Sequence, residues 1–462
     1  MKGSPPADLR TFLALVERSL PEQLVKIERP VSPEYGVTGV LQRLENEGRF
    51  PLVVFENVSD LAGNPHKKVV SNLFADRRFC ALALGLSLEA SEAALTLEFA
   101  ERVKIPTSVQ VISREDAPVK EVVKRGSDAD LYQLPVVTHH EADGGPYLTQ
   151  PVISRDPDDG GYNVAFHRLM VRGPRETGIY MAPFHTMDNY AKLERRGLSC
   201  PIAAVLGHHP TLSMAAATRV PKDVSELQIA GSLARRPLRM VASETWGDDF
   251  LVPADAEVVV EGEILPDRRE EEGPFGEWTG FLGPARPRPV VRVTAITHRP
   301  DPLLVTNFVG HRDLSNLQGL SWEADVLRRV RDAVPSVVAV HAPVSGRSGF
   351  HYYISVKKSH SGEPRTAAYA ALGLGYPKMV VVVDDDVDVF SDAQVLEAIS
   401  TRVQASRDVE IVRGLKGSTL DPSMHDSTVH DALIIDATTP LDRDFPPKLR
   451  VPPDEVAKAQ LS

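Results

Sequence analysis

Apolar residues fall at helical spacing at the start of the chain. Leu9, Phe12, Leu13, Leu15 and Val16 form one stripe, Asp8 stands before them as a cap, and Pro21 follows, which predicts a first helix. Residues 50–55 form a continuous apolar run between turn residues and read as a buried strand, and residues 79–86 read as a short helix. From about residue 130 to 307 the apolar runs are short and separated by Gly, Pro and Asp, as at 151–154, 165–171, 202–206, 257–260 and 290–296. Several short strands between turns predict a barrel or sandwich. Two helical stretches interrupt it, at 189–195 and 223–234, the second with Asp223 as the expected N-cap and Glu226 at a capping-box position. The last part returns to α/β. It holds a strand at 353–356, a helix at 364–373, and a fully buried strand at 378–383, apolar after Lys378, that runs into Asp384-Asp385-Asp386. A helix to Arg402 capped by Asp392 follows, then a short helix at 453–460 after a Pro-rich, charged stretch. A strand like 378–383 suits a sheet covered on both faces. The pattern gives a mixed fold in three parts: an α/β unit over 1–115, a β-rich unit over 116–310, and a second α/β unit over 311–462.

The charge balance narrows the partners. Lys and Arg total 52 against 63 Asp and Glu, a formal −11, which argues against a nucleic-acid surface but leaves room for a local anion site. The two cysteines, Cys80 and Cys200, make neither a metal-ligand spacing nor a disulfide framework, as in a reducing compartment. No run approaches the roughly 20 apolar residues of a membrane span, and residues 1–6 carry no apolar signal core. These features predict a cytoplasmic protein without a membrane span.

The candidate chemistry begins at Glu272-Gly273-Pro274-Phe275-Gly276-Glu277. Five residues along a strand would set Glu272 and Glu277 on opposite faces, but the Gly and Pro residues force a bend. A bend can bring both acids into one pocket, where their pKa values separate; the plain alternative is a solvated acidic turn. Further candidates are Asn163-Val164-Ala165-Phe166-His167-Arg168, His185, Glu226 and Lys378. Taken singly, each also has an ordinary reading: a turn former, a surface charge, a core histidine, a helix cap, a solvated lysine.

The chain resembles the UbiD family of reversible decarboxylases, which use prenylated FMN. The resemblance is carried by Asp8-Leu9-Arg10, Phe55-Glu56-Asn57-Val58, Asn72-Leu73-Phe74, Asp143-Gly144-Gly145-Pro146-Tyr147-Leu148-Thr149, Asn163 to Arg168, Ala215-Ala216-Ala217-Thr218, Glu272 to Glu277 and Val383-Asp384-Asp385-Asp386. No one motif decides it; their order and spacing together do. The resemblance implies that the central unit is a split β-barrel binding prenylated FMN and that the C-terminal unit makes a homodimer or higher homo-oligomer. It further implies that Asn163, His185 and Glu226 hold a divalent metal, Mn2+ or else Mg2+, beside a K+ or Na+ ion. That metal bridges to the cofactor phosphate, which Lys378 meets as a point charge. Residues Asn163, Val164, Ala165, Phe166, His167 and Arg168 then run along the flavin, and Phe184 lines cofactor and substrate. Arg168, Glu272 and Glu277 match the family's catalytic network. The modified flavin acts as an electron sink while carbon dioxide leaves, Glu277 supplies the replacing proton, and Arg168 pairs with Glu272 and helps hold the substrate carboxylate. The substrate class implied is an α,β-unsaturated, aromatic or heteroaromatic carboxylic acid, and a UbiX-like flavin prenyltransferase supplies the cofactor.

Two rival readings are an FMN-dependent oxidoreductase on a split barrel and a non-catalytic flavin carrier; hydride transfer gives a Glu–Arg–Glu set no role. His167 stands where an apolar or aromatic residue is expected, facing outwards or tuning the flavin edge. Residues 310–316 either overlie the pocket or cap the next helix. His139, His140, His208 and His209 read as turn or surface positions.

Overall fold

The computed structural model describes residues 7–459, apart from 183 and 425–427. The first helix, Leu9–Ser19, is capped as its sequence implies. The Asp8 carboxylate accepts from the Thr11 amide at 2.8 Å, and Leu9, Phe12 and Val16 are buried. A four-stranded sheet follows in the order Leu24–Ile27, Leu52–Val58, Lys67–Ser71 and Leu303–Val305. The last strand lies in the stretch read from sequence as part of the β-rich middle, yet it pairs parallel to Lys67–Ser71. The chain therefore returns to its own beginning before the third part starts.

The middle holds a nine-stranded antiparallel sheet that curls as a half-barrel. Its order is Tyr147–Leu148, Leu169–Gly173, Glu176–Ile179, Arg286–His298, Val258–Glu272, Cys200–Val205, Pro151–Arg155 and Tyr162–Phe166, with Val122–Arg125 added on Arg286–His298. Alternation sends Ile153, Val164, Ala203, Val205 and Val259 to one core and Val152, Ile202, Ala204, Val258 and Val260 to another. Both faces are thus dry, each buried Val or Ile contributing about 1.5–3 kcal/mol, and a one-residue register slip would exchange the two sets.

Two features of this sheet position the site. Strand Tyr162–Phe166 is terminal in the order and pairs only with Pro151–Arg155, so its outer backbone edge is left for other partners. The stretch 165–171, read from sequence as one run, is two strands: one ends at Phe166 and the next begins at Leu169. His167 and Arg168 occupy the break, because a ladder position would have held the guanidinium perpendicular to the sheet.

The C-terminal part is a five-stranded sheet in the order Val337–His341, His351–Val356, Met379–Asp384, Val429–Ala437 and Val409–Lys416. Val380 and Val382 pack on one face and Val381 and Val383 on the other, the two-sided burial that the apolar run implies. Helix Arg312–Ala333 joins it to the rest through Glu323. This fully buried carboxylate accepts from the Arg77 guanidinium at 2.9 and 2.6 Å, the Thr96 hydroxyl at 2.9 Å, the His341 ring at 2.8 Å and the Ala342 amide at 3.0 Å. Two caps differ from the sequence reading. Ser225, not Asp223, caps Glu226–Leu233, with Gln228 completing the box, and Ser391, not Asp392, caps Asp392–Arg402. The last helix is Pro453–Lys458, and residue 460 of the expected helix lies outside the described residues. Among the described residues no helix is long and apolar enough to cross a membrane.

Candidate active site

The bend at 273–276 does bring the two acids together. Arg168 lays its fork on Glu272, Nε to Oε1 at 2.8 Å and Nη2 to Oε2 at 2.9 Å, and donates through Nη1 to Glu277 Oε1. All three side chains are buried, Glu272 completely. The guanidinium lies between the rings of Phe275, at 4.9 Å, and Tyr180, at 4.7 Å, which adds cation–π attraction in a dry setting. The two carboxylates are treated unequally. Glu272 receives a bidentate contact, the stronger geometry. Glu277 receives a single N–H, and burial raises its carboxyl above the ordinary range despite the neighbouring Arg168. A buried carboxyl with a raised pKa beside a carboxylate that anchors a guanidinium is an arrangement that acid catalysis can use.

Distant backbone holds this turn in place. The Asp143 carboxylate accepts from the Gly276 amide at 2.8 Å, and the Tyr147 hydroxyl donates to the Pro274 carbonyl at 3.3 Å. A Cβ on Gly144 would lie 2.4 Å from the Gly273 carbonyl oxygen, and one on Gly178 would lie 2.9 Å from Glu272 Cγ. Tyr180 and Gly178 were not among the sequence candidates, since nothing near them in the chain marks them. Asp143 and Tyr147 were visible only as part of a family motif.

The second cluster lies at the other end of the edge strand. Asn163 Oδ1 and His185 Nδ1 are 3.2 Å apart, and Asn163 Nδ2 donates to Thr186 Oγ1 at 2.7 Å. Glu226 is the first residue of its helix. Because Ser225 takes over the cap, its carboxylate turns inward and accepts from the Val164 amide at 2.8 Å. Burial pushes the Glu226 carboxyl up to about 7. A buried carboxylate short of a counter-charge at the start of one helix, with an amide oxygen on the strand and an imidazole nitrogen at the start of another helix, fits a hard divalent cation. Among the described residues no three His, Cys, Asp or Glu side chains converge as a metal site; this set contains two of those types and an amide. Beside it opens a pocket of about 220 Å3, lined by Asn163 and His185 together with Asp156, Asp159, Lys192 and Lys222, the two lysines being paired with Asp156.

The remaining candidates divide. Val164 is fully buried, Phe166 packs on the first core, and Phe184 stands half exposed before helix His185–Glu194. His167 is buried. Burial holds its imidazole down to about 4, and its Nε2 has no hydrogen-bond partner. Lys378 is engaged elsewhere, with Asp421 at 2.9 Å and Ser423 Oγ at 2.6 Å, and no described contact joins it to Asn163, His185 or Glu226. Residues 310–316 do two things: His311 is the N-cap of helix Arg312–Ala333, and Gly310 backs the Glu277 carbonyl so closely that a Cβ would lie 3.0 Å from it. His139, His208 and His209 are buried, not at the surface, and His140 stacks with Phe308 and His311 at 5.9 Å from each. His139 lies against Phe308 and His209 against Phe12, while both ring nitrogens of His208 are buried without a hydrogen-bond partner among the described residues.

Comparison with known proteins matches most of the chain. Models of the 3-octaprenyl-4-hydroxybenzoate carboxy-lyase family fit in chain order: its N-terminal domain over residues 20–101, its Rift-related domain over 110–312 and its C-terminal domain over 315–437. The chain belongs to the UbiD family. It is similar to the phenolic acid decarboxylase of Sedimentibacter hydroxybenzoicus, 33% identical over 466 residues that cover 97% of this chain and 95% of the relative. It is also similar to the anhydromevalonate phosphate decarboxylase of Methanothermobacter thermautotrophicus, 32% identical with 91% and 95% covered. Among solved structures, the UbiD-class enzyme HmfF from Pelotomaculum thermopropionicum in complex with FMN superposes with a TM-score of 0.91 at 38% identity, covering 98% of this chain and 99% of the other. An evolved dimeric form of that enzyme, in complex with prFMN, has a TM-score of 0.88 at 36% identity, with 99% of each chain covered. This UbiD-family protein is accordingly a carboxy-lyase.

Proposed function

We propose that this UbiD-family enzyme decarboxylates an α,β-unsaturated, aromatic or heteroaromatic carboxylic acid with prenylated FMN as cofactor. The observation that carries the reading is the Arg168 guanidinium, which grips Glu272 with its fork while holding a second carboxyl, Glu277, that burial biases toward its protonated form.

Asn163, His185 and Glu226 would hold Mn2+ or Mg2+, with K+ or Na+ alongside, and the cation would anchor the cofactor phosphate. Lys378 is assigned to the same phosphate, for which it must exchange Asp421 and Ser423. The outer edge of Tyr162–Phe166, through His167, would face the flavin, and Phe184 would border flavin and substrate. Bound there, the modified flavin supplies the electron sink that carries the pair released when the carboxylate leaves. The protein's own part is positional and protonic. Arg168, fixed by Glu272, draws the substrate carboxylate toward the network without moving, because two rings and a bidentate contact pin it. The substrate's carbon–carboxyl bond breaks, carbon dioxide departs, and Glu277 gives its proton to the carbon that bore the carboxylate. One proton is consumed per turnover, and Glu277 regains it from solvent. At high carbon dioxide the same residue takes the proton back, which makes the reaction reversible.

In this reading residues 1–115, 116–310 and 311–462 act as an N-terminal domain, a split-barrel flavin domain and a dimerising domain. The working form is a cytoplasmic homodimer or larger homo-oligomer served by a flavin prenyltransferase. The test is expression with such a prenyltransferase, followed by an absorbance spectrum and a screen of cinnamate-like, pyrrole, indole and polyene acids for carbon dioxide release. A modified-flavin spectrum with release from at least one acid is expected. Plain FMN together with consumption of reduced nicotinamide would replace the reading with an oxidoreductase.

A further inference from the structure

A cleft of about 510 Å3 reaches Glu277, walled also by Phe281, Leu282, His311, Arg312 and Arg347. Its size is that of a small-ligand site, and its charges are unevenly matched. The two carboxylates on its wall are both paired, Glu277 with Arg168 and Glu45 with the His311 ring at 2.7 Å. The two arginines are not: among the described residues neither Arg312 nor Arg347 has a carboxylate within ion-pair distance. Each is described with a single hydrogen bond, Arg347 Nη1 to the Gly310 carbonyl at 2.7 Å and Arg312 Nε to the Ala75 carbonyl at 3.1 Å. A guanidinium has five N–H donors, so most of their capacity is unspent.

Both arginines are seated rather than loose. Arg347 and Ser348 sit at φ 53 in succession, a left-handed conformation costly for side-chain-bearing residues. This places the Arg347 guanidinium over Gly280, where a Cβ would come within 2.7 Å of Nη2. Gly280, itself at φ 80, belongs to the turn that follows Glu277. The Arg312 guanidinium lies 4.4 Å over the Phe50 ring. Arg312 is also the first residue of the 22-residue helix Arg312–Ala333, whose N-cap side chain makes no capping bond, so the positive end of a long helix adds to the same wall. Phe281 and Leu282, both more than half exposed, offer the apolar flank.

We propose that this cleft receives the far end of the substrate and that this end carries a second anionic group, a carboxylate or a phosphate, held by Arg347 and Arg312. The assignment rests on Glu277 as the proton donor. One end of the acid meets Arg168 and Glu277, the carbon skeleton lies along Phe281 and Leu282, and the other end takes the forks of the two arginines.

The test compares trans,trans-muconate with sorbate, which differ by one terminal carboxylate in place of a methyl group, and adds an enoic acid ending in a phosphate monoester. Binding is measured by calorimetry on flavin-loaded Glu277→Gln protein, and turnover on flavin-loaded wild type. Muconate, the phosphate ester or both should bind at least about ten-fold more tightly than sorbate, the share of one charged hydrogen-bonded contact, and whichever gains names the group. Arg347→Gln and, separately, Arg312→Gln should each shrink that ratio, and Arg347→Lys, which keeps the charge and loses the fork, should retain part of it. Equal binding of all three acids by a protein of unaltered melting temperature overturns the subsite. A preference that survives both Gln substitutions overturns it too. Tight muconate binding without carbon dioxide release from any acid would leave the subsite standing and remove the decarboxylase reading instead.

Discussion

Glu277→Gln separates chemistry from stability in one substitution. Gln keeps the shape and accepts the Arg168 N–H, but it cannot give up a proton. Loss of a positioned general acid costs about 10²–10⁴ in rate, or about 3–5 kcal/mol of barrier, so kcat should fall at least 100-fold while flavin and metal stay bound. Stability should move the other way. In the wild type, burial outweighs Arg168 and raises the Glu277 carboxyl. A carboxyl raised on folding binds its proton more tightly in the folded state, so it favours that state at low pH and penalises it above the folded value. The Gln variant carries no such penalty. Its melting temperature should exceed the wild type's at pH 8, and the gap should close as the pH falls toward the ordinary carboxylate value of about 4.5. The assays are steady-state carbon dioxide release and thermal melting across pH 4–8. Turnover at the wild-type rate would refute the assignment. So would a variant less stable at pH 8 whose deficit closes in acid, because Glu277 would then be an ion-pair carboxylate and not a proton reservoir.

Three further outcomes follow from the same geometry. Gly178→Ala sets a methyl group 2.9 Å from Glu272 Cγ and should lower kcat about ten-fold or more through displaced Arg168, with cofactor binding intact by absorbance. Glu226→Gln removes the one formal negative charge of the proposed metal set, and its purified protein should carry less metal by elemental analysis and less flavin than wild type; chelation of wild type should do the same. Glu323 is held down to about 2 by Arg77 and His341 against the cost of burial. Its contribution is therefore complete above the unfolded carboxylate value and lost as the pH falls toward 2. Glu323→Gln should cost about 3 kcal/mol at pH 7 and flatten the acid limb of the denaturation curve.

Local pattern and long-range geometry contributed differently to what could be read beforehand. The first helix, the two-sided strand Met379–Asp384 and the β-rich middle were legible because alternation and periodicity are properties of neighbours in the chain. The same information could not show that Leu303–Val305 pairs with Lys67–Ser71, nor that Arg168, between two strands, reaches Glu272 and Glu277. Those outcomes depend on a guanidinium meeting carboxylates 104 and 109 residues away. Cap choice misled in a physical way: Asp223 and Asp392 looked suitable, but Ser225 and Ser391 hold the extended conformation directly before the first turn. Arg168, Glu272, Glu277, Asn163, His185 and Glu226 were nameable from motif resemblance, and the structure joins Arg168 to Glu272 and Glu277 and Asn163 to His185, with Glu226 on the neighbouring Val164 amide. Tyr180, Gly178 and the Asp143 brace act by proximity alone. His139 and His209, polar by type, are interior beside Phe308 and Phe12, and His208 is buried as well, which composition does not reveal.

The central claim is that the carbon losing its carboxylate lies against Glu277, with the cofactor anchored at Asn163, His185 and Glu226. A crystal structure of the flavin-loaded enzyme with a non-reacting substrate analogue tests it most directly. The account predicts a metal on those three side chains and the analogue's carboxyl-bearing carbon within about 3.5 Å of the Glu277 carboxyl. A cofactor lying on another face of the sheet, or an analogue bound with Glu277 turned away from it, would contradict it.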